Sequence, residues 1–305
     1  MINLAGLELK NPIMTASGTA GYGRELANLV DLDSLGAFVV KGTSLEPWVG
    51  NPPIRVAETA SGMLNSIGLQ NPGVGHFISY DLPFLRQFSV PVIVNIVGRS
   101  VDEYALLAKR LKDMEGIAAL EVNVSCPNVK EGGLSFGQDP LLVKEVTEAV
   151  RENWDKPLIV KLSPNVTNIV EIGRAAKEGG ADVLSLINTL RGMAIDTNSG
   201  RPVLAQGIGG LSGPAIKPVA LRMVFELASE LDIPLIGMGG IQSYRDVLEF
   251  MMAGASAVAI GTAVLRTPGM LIELVRELEY WRLSNGVAWE DIIGLTVRGE
   301  YGEFR

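Results

Sequence analysis

The chain has 305 residues, a net charge of −8 and a pI of about 4.9, with no basic stripe, which argues against a nucleic-acid partner. One cysteine excludes an intrachain disulfide and a cysteine-ligated iron–sulfur cluster within the chain. One histidine excludes a site built from several histidines, so no metal site is expected.

In chain order, residues 4–11 read as a short hairpin. Eight short runs rich in Val, Ile and Leu follow, at 12–17, 37–41, 91–95, 119–125, 157–163, 183–188, 234–240 and 257–261. They are too short for helices and too continuous for half-exposed strands, so buried parallel strands are predicted. Helical spacing fills most of the gaps, at 101–114, 139–153, 168–180, 215–231, 243–254 and 268–281. Asp139-Pro140 and Ser243 are start signals, and Gly179-Gly180 and Gly254 are stops. The stretch 42–90 departs from this rhythm and reads as an excursion after the second strand. The pattern predicts a single-domain (β/α)8 TIM barrel over 1–305, with an N-terminal hairpin under it and an insertion after strand 2. A doubly wound open sheet is the alternative, but no G-x-G-x-x-G follows strand 1. No basic leader opens the chain, and the apolar stretch 253–265 stops at Arg266, short of a membrane span. A cytoplasmic protein without membrane contact is expected.

A barrel gathers its site at the C-terminal strand ends. Those ends carry Ser17, Lys41, Asn95, Asn123 with Cys126, Lys161, Asn188, Gly239-Gly240 and Gly261-Thr262. A lysine closing an apolar strand is costly unless it meets water or an anion. The glycine-rich ends of strands 7 and 8 each precede a predicted helix, a common phosphate site in barrels. Asn65, Asn71, Asn95, Asn123, Asn128 and Asn188 offer amides that both donate and accept, which suits a planar heterocycle. His76 reads as an ordinary loop or surface residue. Cys126 is either a small buried hydrophobe or a reactive thiol, and its immediate neighbours leave both open.

NSIGLQNPG (65–73), EVNVSCPN (121–128), INTLRGMAID (187–196), GGLSGPAIKP (209–218), GMGGI (237–241) and AIGTA (259–263) are together highly specific. Across essentially its whole length the chain resembles the class 1 dihydroorotate dehydrogenases, flavoenzymes of pyrimidine synthesis. The resemblance implies one FMN across the barrel mouth, its phosphate at Gly213, Gly239, Gly240, Gly261 and Thr262. Ring and ribityl chain would meet Ser17, Lys41, Gly42, Asn95, Asn123, Lys161 and Ile187. Dihydroorotate would be held by Lys41, Asn65, Ser66, Ile67, Gly68, Leu69, Asn123, Asn128, Asn188 and Thr189, with Cys126 as catalytic base. The stretch 129–140, VKEGGLSFGQDP, would be a lid over it.

The stretch from 188 to 218 is similar to the NAD-linked class 1B branch. That branch implies a partner subunit carrying FAD and a [2Fe–2S] cluster in an α2β2 heterotetramer, with NAD+ as final acceptor. Rival readings are the fumarate-linked class 1A enzyme and a dihydrouracil-type dehydrogenase. A Schiff-base lyase using Lys161 and a barrel that binds a phosphate ligand without chemistry are others.

Overall fold

The computed structural model describes residues 1–125, 136–301 and Phe304. The chain begins with an antiparallel hairpin, β1 (Ile2–Leu4) and β2 (Leu7–Leu9). Ala5 and Gly6 turn it with φ of 50° and 92°, the positive values a two-residue hairpin turn requires. Ile2, Leu4, Leu7 and Leu9 are buried and the residues between them are exposed, so one face of the hairpin packs on the protein.

Strands β3 (Ile13–Thr15) and β4 (Phe38–Val39) open the barrel. A hairpin of β5 (Val56–Thr59) and β6 (Gly62–Asn65) occupies the excursion after β4. Four barrel strands follow: β7 (Val92–Ile96), β8 (Ala119–Asn123), β9 (Leu158–Lys161) and β10 (Val183–Leu186). A second excursion holds β11 (Leu190–Met193), β12 (Ile195–Asp196), β13 (Arg201–Pro202) and β14 (Ile208–Ser212). Finally, β15 (Leu235–Met238) and β16 (Ala255–Ile260) complete the barrel.

The eight barrel strands pair in parallel in chain order, and β16 returns to β3. A parallel bridge from Met14 to Ala37 joins β3 to the start of β4 and closes the ring. Closure rules out the open doubly wound sheet. Every residue of β7, β8, β9, β10 and β15 is buried, as strands covered by helices outside and by side chains inside must be.

The helices between them carry their signals in the sequence. Ser100 accepts from the Glu103 amide at the start of Val101–Leu111, where Tyr104, Leu107, Ala108 and Leu111 form the buried stripe. Asp139 caps Pro140–Arg151 by accepting from Leu141, with Pro140 in the first turn as predicted. Ser243 and Asp246 form a reciprocal capping box on Tyr244–Met252.

Three differences from the predicted elements have physical causes. The hairpin spans residues 2–9 rather than 4–11, because the Ala5-Gly6 turn sets its centre. The last long helix runs Met270–Asn285, past the predicted end at 281, and stops where Gly286 turns left-handed at φ 63°. A second sheet, β11-β14-β6-β5, was not predicted: the two excursions pair antiparallel above the barrel, Gly210 opposite Asn65.

Tyr104 ties helix to strand. It is fully buried, donates its hydroxyl to the Asn123 carbonyl at 2.7 Å, and meets Phe136 edge-on at 5.8 Å. Tyr104→Phe should cost about 1–3 kcal/mol, since a buried acceptor loses its donor. Urea unfolding should show a lower midpoint with an unchanged slope.

Candidate active site

Period-two alternation points Asn95 of β7, Glu121 and Asn123 of β8, Lys161 of β9 and Ser185 of β10 into the barrel. Four of them form a buried network with Ser17, which follows β3. Asn95 donates Nδ2 to Glu121 Oε2 at 2.6 Å, and Ser185 donates Oγ to Glu121 Oε1 at 2.7 Å. Lys161 Nζ stands 4.0 Å from Glu121 Oε2 and donates to Ser17 Oγ at 3.1 Å. Glu121 is 2% exposed and Lys161 4%, so each charge depends on the other and on these hydrogen bonds. Asn95 Oδ1 is, among the described residues, the one fully buried side-chain polar atom without a partner. It faces Gly42, where a side chain's Cβ would lie 3.1 Å from it. An unpaired buried acceptor is costly, and a ligand N–H would satisfy it.

A second cluster of amides rims the mouth. Asn188 Nδ2 donates to Asn123 Oδ1 at 3.1 Å and to Ser125 Oγ at 2.8 Å. The Asn188 amide is placed by the Leu162 carbonyl, and that of Ile187 by Met238. Thr189 packs against Gly210, where an added Cβ would lie 2.1 Å from its Oγ1. Asn65 donates to the Gly210 carbonyl at 3.3 Å from the second sheet. Ile67 and Leu69 are half-buried on the way out of it, and the Ser66 amide bonds the Arg55 carbonyl. Asn71 has all its bonds within the excursion: Oδ1 accepts from Ser44 and Gly73, and Nδ2 donates to Leu69. It is a buried structural amide rather than a member of the ring.

The glycine ends of β15 and β16 come together with the start of the helix Lys217–Glu230. Gly239 and Gly240 have φ of 131° and 75°, and an added Cβ on Gly240 would lie 2.9 Å from the Gly213 carbonyl. Thr262 donates to Ser212 Oγ at 2.8 Å beside them. The helix after Gly240 is capped by its own Asp246, which accepts from Gln242 and Ser243. The amides of Gln242 and Ser243 are therefore already used, and the half-buried backbone at Gly239 and Gly240 remains for an anion.

Lys41 stands two residues past β4, half-buried beside a cavity of about 430 Å³ lined by Tyr22, Trp48, Gln70, Asn71 and Asp81. Burial pulls its ammonium below the ordinary lysine range, and the Arg55 guanidinium adds to that. Tyr22 closes the cavity wall. Its hydroxyl is pushed up to about 12 by burial, with Thr43 at 3.3 Å opposing and Asp81 adding.

Cys126 and Asn128 lie outside the described residues, as does the proposed lid through Ser135. Its far end, Phe136–Gln138, is a 3-10 turn with Phe136 and Gly137 buried, and the Gly137 amide bonds the Val124 carbonyl. Glu121 and Ser185 were missed by reading only strand ends. The signal was present: both lie an even number of residues before a site position on the same inward face, and Glu121 is a charge inside an apolar run. Among the described residues no cluster of His, Cys, Asp or Glu could hold a metal ion, and no helix is long and apolar enough to cross a membrane.

Fold and site together define a (β/α)8 barrel whose mouth offers amides, two cations and a glycine cradle, a donor set that suits a planar, phosphate-bearing ligand. Residues 1–281 match the dihydroorotate dehydrogenase family, and the chain belongs to that family. It is 58% identical over 278 residues to a protein of Alkaliphilus metalliredigens, covering 91% of this chain and 92% of the relative. A Pelobacter propionicus protein is 57% identical over 294 residues, covering 96% and 97%. One from Thermoanaerobacter pseudethanolicus is 53% identical over 291 residues, covering 95% of each. All three are named dihydroorotate dehydrogenase B (NAD(+)), catalytic subunit.

The depressed ammonium of Lys41 has a consequence for stability. Its folded pKa lies below its unfolded one, so the charge destabilises the fold at neutral pH and the penalty lifts as pH rises from that lowered pKa toward 10.5. Lys41→Met should raise the urea midpoint at pH 7, with the gain over wild type shrinking as the pH approaches 10.5.

Proposed function

We propose that the chain oxidises dihydroorotate to orotate with a bound FMN and passes the electrons to NAD+ through a partner subunit. The observation that carries this reading is the buried network that joins Lys161, Ser17 and Asn95 through Glu121 in the barrel mouth of a dihydroorotate dehydrogenase family member. Two features fit a flavin nucleotide: the partnerless Asn95 Oδ1 beside Gly42, and the left-handed glycine turn at Gly239 and Gly240 after β15, half-buried beside Gly213.

A bound FMN would supply the acceptor for the hydride that leaves one ring carbon of the substrate. The chain's own residues do the rest. Gly213, Gly239, Gly240, Gly261 and Thr262 would hold the phosphate. Ser17, Lys41, Gly42, Asn95, Asn123, Lys161 and Ile187 would line the ring and ribityl chain. Lys161 would turn its ammonium toward the bound ring, with Glu121 4.0 Å away setting how much of that charge is felt. Lys41 supplies the cation for the substrate carboxylate, and binding that anion raises its depressed ammonium again. Asn65 to Leu69, Asn123, Asn128, Asn188 and Thr189 hold the substrate ring and edges, the amides reading its alternating C=O and N–H groups.

Cys126 takes the proton from the neighbouring carbon, an assignment that rests on its place in EVNVSCPN. A thiol serves as a base where its surroundings favour the thiolate. The relatives' shared name, an NAD(+) enzyme's catalytic subunit, supports a second subunit. With one cysteine in this chain, an iron–sulfur relay has to sit on that subunit, which we assign FAD and a [2Fe–2S] cluster in an α2β2 heterotetramer. We place the enzyme in the cytoplasm.

The purified chain should be yellow, and dihydroorotate added without oxygen should bleach its flavin bands. Bands that persist would refute the substrate. Cys126→Ala should keep its flavin and lose about 10²–10⁴-fold in kcat, the usual contribution of a positioned base. An unchanged kcat would remove Cys126 from the mechanism.

A further inference from the structure

We propose that Glu121 is a positioning residue that neutralises Lys161 from below and thereby keeps the reduction potential of the bound flavin low. This rests on the flavin reading above. Glu121 lies two residues before Asn123 on β8, on the same inward face and one layer deeper in the barrel. No substrate or phosphate role reaches it, yet it is a carboxylate in the middle of a fully buried strand. Such a group is retained only where it is paired and hydrogen-bonded.

All of its partners belong to the mouth or touch it. Oε2 accepts from Asn95 at 2.6 Å and faces Lys161 Nζ at 4.0 Å, while Oε1 accepts from Ser185 at 2.7 Å. The carboxylate can only accept, so it obliges Asn95 to give its Nδ2. That leaves Asn95 Oδ1 as the acceptor beside Gly42. It also offsets the lysine charge. Transfer of a hydride, two electrons with one proton, breaks a C–H bond of the substrate and leaves the flavin one negative charge richer. A buried carboxylate close to that charge disfavours it, and Lys161 without its counter-charge would favour it. Glu121 thus tunes the flavin toward giving up its electrons, which an NAD-linked acceptor requires.

The test reconstitutes the full chain with FMN and measures the midpoint potential of the bound flavin by dye equilibration. Glu121→Gln keeps the shape and removes the charge. It should raise the potential, by a tenfold or greater change in the reduced-to-oxidised ratio, or about 30 mV for two electrons. Ser185→Ala keeps the charge and removes a hydroxyl dipole that screens it, so its potential should fall below wild type. A packing defect would move both variants the same way. An unchanged or lowered potential in Glu121→Gln overturns the proposal, and so does an unchanged or raised one in Ser185→Ala. The second arm decides alone if the first variant does not fold or retain FMN. Wild-type chain that takes up no FMN overturns the flavin reading itself, which separates that failure from this one.

Discussion

Closure of the parallel sheet is the constraint on which the rest depends. Once β16 pairs with β3 and Met14 bridges to Ala37, eight strand ends have to face one another across a single mouth. Residues far apart in sequence then become neighbours: Ser17 meets Lys161, and Asn123 meets Asn188. Inward positions one layer lower become equally intimate, which is how Glu121 comes to sit between Asn95, Ser185 and Lys161. Removing either charge of that buried pair strands the other, a cost of about 3–5 kcal/mol in comparable cases. The network therefore couples the stability of the barrel to the electrostatics of the mouth.

The two halves of the mouth do different work. The side of β7 to β10 is rigid and charged, built from strand residues held by backbone ladders on both sides. The side of β15 and β16 presents backbone, with glycines in conformations that side chains would strain. Above them the sheet β11-β14-β6-β5 covers the site with partly buried residues from both excursions. Its glycines are there for closeness: an added Cβ at Gly209 would lie 2.5 Å from the Asn65 carbonyl.

The barrel was legible because its strands are buried on both faces and so read as unbroken apolar runs, and because Asp139-Pro140 and Ser243 mark helix starts chemically. The covering sheet was not. Val56–Thr59 and Gly62–Asn65 alternate weakly, and the adjacent glycines of Ile208–Ser212 weaken its strand signal. Their strand character comes from partners such as Gly210 and Asn65, 145 residues apart. In the site, polar strand ends were legible by their cost. Glu121 is not a strand end, although the same cost argument applies inside the strand. Asn71 was grouped with the site by type, and its four bonds within the excursion assign it to structure.

The central claim is that this mouth is built for a flavin nucleotide, with the glycine cradle taking its phosphate. Calorimetric titration of the flavin-free chain with FMN and with riboflavin tests it most directly, since the two differ only in that phosphate. The account predicts FMN binding at least about a hundredfold tighter, in line with several charge-assisted hydrogen bonds at about 1.5–3 kcal/mol each. Equal affinity for the two, or no binding of either, would contradict it.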